Sequence, residues 1–241
     1  MSMRAAVLAS GRGSNLAALW EYLHGGGAAR DGVAPAAAEI AVVLSDQPDA
    51  RALSLARERG VPAVALALGA ARDASLEQRL REHGVELVLL AGYLRLIPRS
   101  VVRAFRGRML NVHPALLPAF GGPGMYGHRV HDAVLAAGAR VSGATVHFVD
   151  EEFDRGAIVA QWPVPVFGDD DAAVLAKRVL RVEHALFPRV VQLVASGRVT
   201  LGEDGRAQGL PVGAARGRSA AFTLQTEGID ALADDIARAL A

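Results

Sequence analysis

Arg4-Ala-Ala-Val-Leu-Ala-Ser-Gly-Arg-Gly-Ser-Asn-Leu16 reads as a buried strand, a glycine turn and the start of a helix. Leu16, Leu19, Trp20 and Leu23 continue it at helical spacing until three glycines, 25–27, end the run. The same unit then recurs. Strands are expected over 39–45, more weakly over 64–68, then over 86–91 and 109–113. Helices are expected over 49–59, 75–83 and 98–105, the last opening on a proline suited to a first helical turn. Strands that are apolar throughout and alternate with helices imply a sheet covered on both faces. The expected fold is therefore α/β: a Rossmann-like doubly wound, mostly parallel sheet with helices on both faces. Ligands of such a fold bind beyond the carboxyl ends of the strands, where the strand order reverses.

After His113 the pattern changes. Residues 114–128 form a loop rich in Gly and Pro, and 131–137 a short helix. Strands over 141–149 and 158–166 meet across an acidic turn. A long amphipathic helical stretch over 170–195 is expected to be interrupted near Pro188. A hairpin over 198–208 and a terminal helix over 226–241 complete the reading.

The chain has 241 residues, 51% of them hydrophobic, which suffices for one α/β domain with additions. Its formal charge of +1 offers no whole-molecule field for nucleic acid or an anionic membrane. Cysteine is absent, so disulfides, thiolate nucleophiles and thiolate metal sites are excluded. The apolar N-terminal run is too short for a signal peptide and no stretch reaches transmembrane length, which is compatible with a cytoplasmic protein.

Gly11 and Gly13 permit a tight turn and a close backbone approach to a ligand. Ser14 and Asn15 are good N-cap types, and free N–H groups at a helix start favour an anion. The loop reads as a phosphate cradle. No Gly-Lys-Ser/Thr follows, and Leu16 stands where a dinucleotide fingerprint needs its third glycine. The acid that fingerprint wants is only loosely matched by Asp46. The bland alternative is a tight turn before a capped helix.

In Met109-Leu-Asn-Val-His-Pro114, strand alternation turns Asn111 and His113 to one face. Pro114 ends the ladder, so both lie at the carboxyl end of the strand, where polar side chains are an expensive choice for a core. An amide N–H₂ and an imidazole together suit an oxyanion formed when an amine attacks a carbonyl carbon. The alternative is that both residues serve a turn.

The acidic turn offers Asp150, Glu151, Glu152 and Asp154. A carboxylate beside His113 would raise its pKa, but the residues alone do not choose among the four. His147 lies inside a strand and reads as structural. His128 and His131 are too closely spaced, with no further ligands, for a metal site, and none is expected.

Five segments in order carry a resemblance: Gly11-Arg-Gly-Ser-Asn-Leu16, Leu90-Ala-Gly-Tyr-Leu-Arg-Leu-Ile97, Leu110-Asn-Val-His-Pro-Ala-Leu-Leu-Pro118, Gly143-Ala-Thr-Val-His-Phe-Val-Asp150 and Glu183-His-Ala-Leu-Phe-Pro188. Over about residues 4–211 the chain resembles the phosphoribosylglycinamide formyltransferases, folate-dependent enzymes of purine synthesis. The resemblance implies transfer of the formyl group of 10-formyltetrahydrofolate to the amine of glycinamide ribonucleotide.

It assigns the oxyanion role to Asn111 and the protonated imidazole to His113, and it selects Asp154 as their proton-moving partner. Gly13, Ser14 and Asn15 match the ribonucleotide phosphate loop, and Glu183 the acid at the ribose hydroxyls. Leu94, Arg95, Leu96 and Ile97, with Asn111, Val149 and Asp150, match the folate pocket. Arg72 is the nearest match to a family arginine ahead of the helix at Ser75.

Residues 1–211 are thus expected as one domain, its N-terminal half on the ribonucleotide side and its C-terminal half on the folate side. Residues 212–241 are an extension without family counterpart. Small-molecule substrates are expected, with no nucleic acid, membrane or metal; a homodimer is compatible with this. One rival is formyltetrahydrofolate hydrolase, which has an N-terminal regulatory domain for which no room is expected before Arg4. The other is a non-catalytic nucleotide-binding module, which would need none of Asn111, His113 and Asp154.

Overall fold

Seven strands form the central sheet of the computed structural model, which describes residues 2–32, 35–67, 69–209 and 229–240. β1 (Met3–Leu8) leads through the glycine turn to α1 (Ser14–His24) and a short α2 (Gly27–Arg30). β2 (Ala38–Ser45), α3 (Arg51–Glu58) and β3 (Ala63–Ala65) follow, then α4 (Arg72–Glu82), β4 (Leu87–Leu90), α5 (Arg99–Ala104) and β5 (Met109–His113). The strands run in the order β3-β2-β1-β4-β5, all parallel. The chain therefore winds outward from β1, returns, and winds the other way from β4. The crevice between the ends of β1 and β4 is the switch point.

Apolar alternation covers both faces. Ala5, Val7, Leu87, Leu89 and Leu110 point to one side and pack with α1 and α3. Ala6, Leu8, Val88, Leu90 and Met109 point to the other and pack with α4 and α5. Such strands give no hydropathic alternation in sequence because neither face meets water.

Beyond β5 the chain forms α6 (His128–Ala136), β6 (Val141–Phe148) and β7 (Ile158–Pro165). β6 and β7 extend the sheet antiparallel, with β7 at its edge. β7 carries Pro163 and Pro165, residues tolerated in an edge strand where a missing N–H faces away from the ladder. α7 (Ala172–Ala195) then runs back across the sheet, followed by the hairpin of β8 (Thr200–Leu201) and β9 (Ala207–Gln208).

Several expectations need correction. α7 is one 24-residue helix, not a helix interrupted near Pro188. Pro188 forfeits one backbone bond, a cost of about 3 kcal/mol. Pro188, Phe187, Val190 and Val191 are all buried, and each such side chain returns roughly 1.5–3 kcal/mol. β3 is shorter than 64–68 and begins at Ala63; Leu68 lies outside the described residues. α4 starts at Arg72 after a 3₁₀ turn, and Pro98 caps α5 rather than opening it.

The expected domain boundary at 211/212 lies outside the described residues. α8 (Ile229–Leu240) packs on α7: Ile236 is buried, and Asp235 Oδ2 accepts from Arg189 Nη2 at 2.6 Å. Arg189 Nε also lies 2.7 Å from Asp31 Oδ2, so one guanidinium joins the segment after α2, α7 and α8. Among the described residues no helix is long and apolar enough to cross a membrane.

Candidate active site

A cleft of about 620 Å³ opens at the switch point. The glycine loop, the segment after β4, the end of β5, the acidic turn and one face of α7 line it. The residues assigned from sequence to the reaction and to the two substrates reach it, Arg72 excepted: Asn111, His113 and Asp154; Gly13, Ser14, Asn15 and Glu183; Leu94, Arg95, Leu96, Ile97, Val149 and Asp150.

Asn111 and His113 share a face at the carboxyl end of β5. Register across the antiparallel pair sets His147 opposite Asn111 and Thr145 opposite His113. His147 Nδ1 lies 2.8 Å from the Phe148 carbonyl oxygen, which only accepts, so Nδ1 carries the proton. Nε2 of the neutral ring then accepts from Asn111 Nδ2 at 3.0 Å. Thr145 Oγ1 donates to the Ala115 carbonyl at 2.6 Å and accepts from Leu117 N–H at 3.0 Å, pinning the loop after His113.

Asp154 sits between the two histidines. Oδ2 is 3.6 Å from His113 Nδ1 and accepts from Gly122 N–H at 2.9 Å; Oδ1 is 3.7 Å from His147 Nε2 and 3.5 Å from Asn111 Nδ2. Its φ of 55° is left-handed, as is that of Phe120, whose carbonyl lies 2.9 Å from His113 Nε2. Two non-glycine residues in a sparsely populated conformation thus flank the histidine, a pattern that concentrates at functional sites. Burial raises the Asp154 pKa, but His147 and His113 in their protonated forms, with the Gly122 N–H, outweigh it and hold the carboxylate below its usual range.

Burial pushes His113 below the usual histidine range. Asp154 and the Phe120 carbonyl pull it back and His147 opposes them, with the net shift downward. Asp154 does raise this pKa, as expected of a nearby carboxylate, but desolvation outweighs it because the residue is only 3% exposed. With Nε2–H donated to Phe120, the neutral ring has its bare Nδ1 toward Asp154, positioned to take a proton when negative charge develops nearby.

At the other end of the cleft, Gly13 itself is the N-cap of α1, left-handed at φ 77°, and no side chain caps the helix. This corrects the reading of Ser14 and Asn15 as caps: they are the first helical residues. The first intrahelical bond is Ala17 N–H to Gly13 O, so the N–H groups of Ser14, Asn15 and Leu16 have no acceptor within the helix. Asn15 Nδ2 instead donates to Glu183 Oε2 at 2.7 Å, while Asn15 Oδ1 is buried without a partner. Burial pushes the Glu183 carboxyl up to about 7, against the pull of Asn15.

The folate-lining segment and the acidic turn have a different character. Of the seven large apolar side chains exposed among the described residues, Leu94, Leu96, Tyr126 and Phe153 line this cleft. Apolar walls with a few convergent polar groups suit a flat heterocycle. Arg72 is paired with Asp73 at 2.9 Å and does not line the cleft. Among the described residues no group of three or more His, Cys, Asp or Glu is arranged to hold a metal ion.

Several lining residues are not singled out by the sequence. His147, taken as structural, contacts both Asn111 and Asp154; Lys177 and His131 also face the cleft. Lys177 lies on the α7 stripe that includes Ala173, Ala176, Leu180 and Glu183, a helical spacing visible in the sequence once Glu183 is fixed.

Residues 3–191 match the family model described as formyl transferase. The chain is 44% identical over 207 residues to a chloroplastic phosphoribosylglycinamide formyltransferase of Arabidopsis thaliana, covering 83% of this chain and 68% of that protein. It is 41% identical to the corresponding protein of Vigna unguiculata, covering 83% of this chain and 63% of that one. Among solved structures, glycinamide ribonucleotide transformylase 1 of Symbiobacterium toebii superposes with a TM-score of 0.74 at 39% identity, over 86% of this chain and 93% of that one.

Proposed function

The chain belongs to the formyl transferase family, and we propose that it transfers the formyl group of 10-formyltetrahydrofolate to the amine of glycinamide ribonucleotide, a step of purine synthesis. The observation that carries this reading is the joining of two unlike subsites by one polar centre. A helix N-terminus with a buried Asn–Glu pair stands at one end, and apolar walls at the other.

At the ribonucleotide end, the loop of Gly13, Ser14 and Asn15 offers N–H groups to the phosphate. Glu183 accepts from ribose hydroxyls, and the unpartnered Asn15 Oδ1 supports a polar ligand there. Leu94, Leu96 and Ile97 take the pterin ring between apolar walls, with backbone polar groups of the turn from Val149 to Asp154 reading its edge.

In the reaction the amine nitrogen bonds to the formyl carbon and the bond from that carbon to the folate nitrogen breaks. Asn111 Nδ2 donates to the formyl oxygen as negative charge develops on it, and His113 adds an imidazolium charge once it is protonated; one such donor is worth roughly 10²–10³ in rate. His113 is neutral at rest and becomes the better proton acceptor as that charge forms beside it. The amine proton makes His113 an imidazolium, which Asp154 stabilises, and the ring then gives up that same proton, through water beside Asp154, to the leaving nitrogen. Atoms balance: the acceptor loses one proton and tetrahydrofolate gains it.

The test is purified protein with 10-formyltetrahydrofolate, with and without glycinamide ribonucleotide. Formyl transfer that requires the acceptor is expected. Cofactor turnover indifferent to the acceptor would overturn the proposal in favour of hydrolysis, and ribonucleotide binding without turnover in favour of a binding module.

A further inference from the structure

Asp46 follows the last residue of β2, is 5% exposed, and does not line the cleft. A carboxylate so placed is costly unless its oxygens are satisfied. Its partners come from loops that the functional reading gives to different substrates. Oδ1 accepts from Ser10 Oγ at 2.6 Å. Oδ2 accepts from Gln47 Nε2 at 3.0 Å and from Arg95 Nε at 3.1 Å. Ser10 Oγ in turn accepts from Leu94 N–H at 3.0 Å, and Ser10 N–H donates to the Gly92 carbonyl at 3.0 Å.

Ser10 is the residue directly before the glycine loop, and Leu94 and Arg95 are walls of the apolar end. Burial raises the Asp46 pKa, but bonds from Ser10, Gln47 and Arg95 outweigh it and keep the group ionised at neutral pH. The Arg95 side chain is 55% exposed, so the ion pair itself contributes little through solvent. What Asp46 supplies is geometry: the loop after β1 and the loop after β4 are hydrogen-bonded to each other through Ser10, and both are also tied to one buried anion.

We propose that Asp46 is a positioning residue that couples the two substrate subsites, fixing the phosphate loop through Ser10 and the folate wall through Leu94 and Arg95, so that a ligand in one subsite is felt in the other. This rests on the functional reading above. It also gives the acid after β2 a role unlike the ribose contact of a dinucleotide fold, since it faces the loops and not the cleft.

The experiment is calorimetric titration of glycinamide ribonucleotide with and without saturating tetrahydrofolate, a pair that cannot turn over. The wild type is expected to bind ribonucleotide at least about threefold more tightly with tetrahydrofolate present, within the range of ordinary coupling. In Asp46→Ala and Ser10→Ala that ratio should fall to near one. Asp46→Asn keeps an acceptor for Ser10 but cannot accept from both Gln47 and Arg95. It should therefore raise KM for the formyl-folate up to about fivefold, the upper end for a pair with one exposed partner, with ribonucleotide KM changed less than about twofold.

A wild-type ratio of one, or variants that melt lower yet keep the ratio and both KM values, overturns the inference. If Asp46→Ala does not fold, Ser10→Ala and Asp46→Asn decide it. Absence of formyl transfer in the wild type would instead refute the functional reading, and the binding ratio is measured without it.

Discussion

Asn111 Nδ2 lies 3.0 Å from His147 Nε2, across the antiparallel pair of β5 and β6. The contact orients the carboxamide, since the donor nitrogen meets the remaining acceptor lone pair of His147 and has only the longer 3.5 Å contact to Asp154 Oδ1 besides. His147→Phe preserves ring volume and removes that acceptor. Its kcat is expected to fall about tenfold to a hundredfold, with both KM values within about threefold, as a misaligned oxyanion donor predicts. Steady-state kinetics checks this; an unchanged kcat would remove His147 from the site.

Among the described residues, Asp154 is the carboxylate within 4 Å of both His113 and His147. Asp154→Asn keeps the shape and can still receive Gly122 N–H, but it cannot stabilise an imidazolium. Turnover should drop roughly 10²–10⁴-fold, the range of acid–base contributions, while the ribonucleotide Kd stays nearly the same. Equal activity in this variant rejects the proton-transfer role.

Glu183 titrates in a useful range. Its folded pKa, about 7, is above the ordinary 4.5, so the neutral form suits the fold. The stability it supports is complete below 4.5 and lost as pH rises through about 7. Ribose hydroxyls favour the ionised form, so ribonucleotide affinity should increase across the same rise. Glu183→Gln should bind more weakly, with no such pH dependence, and should melt no lower than the wild type on the alkaline side. Calorimetry and thermal melts across neutral pH measure both; a wild-type affinity flat across that range contradicts the assignment.

Gly13 combines a left-handed φ of 77° with a Cβ position 2.9 Å from Ala52 Cα. Gly13→Ala must strain the turn and push α3 away. Stability should fall by about 1–3 kcal/mol, and ribonucleotide binding should weaken more than folate binding because the loop moves. Urea titration with binding to each substrate tests this; a variant as stable as the parent would show that the loop accommodates a side chain.

What could be read from the sequence was what is local or repeated. Apolar strands alternating with helices gave the doubly wound sheet, and a two-residue period put Asn111 and His113 on one face without any tertiary information. His147 was taken as structural because its neighbour depends on register between two strands about 36 positions apart, which no local period encodes. The cap of α1 was assigned to Ser14 and Asn15 by residue type, whereas glycine's access to left-handed backbone moved it one residue earlier. Pro188 was expected to break α7 because propensity weighs a lost bond and cannot see the burial on both sides of it. The direction of the His113 shift likewise followed from burial, which sequence does not supply. Asp154 was chosen by resemblance alone; in the folded chain it is the acid of that turn nearest both rings.

The two ends of the sheet are blunt in different ways. β3 has three residues, and β7 lacks two amide hydrogens at Pro163 and Pro165. Neither offers a long row of donors and acceptors on which another strand could template. In a crowded solution these two edges therefore give a neighbouring strand little to pair with, which disfavours cross-β growth from the seven-stranded sheet.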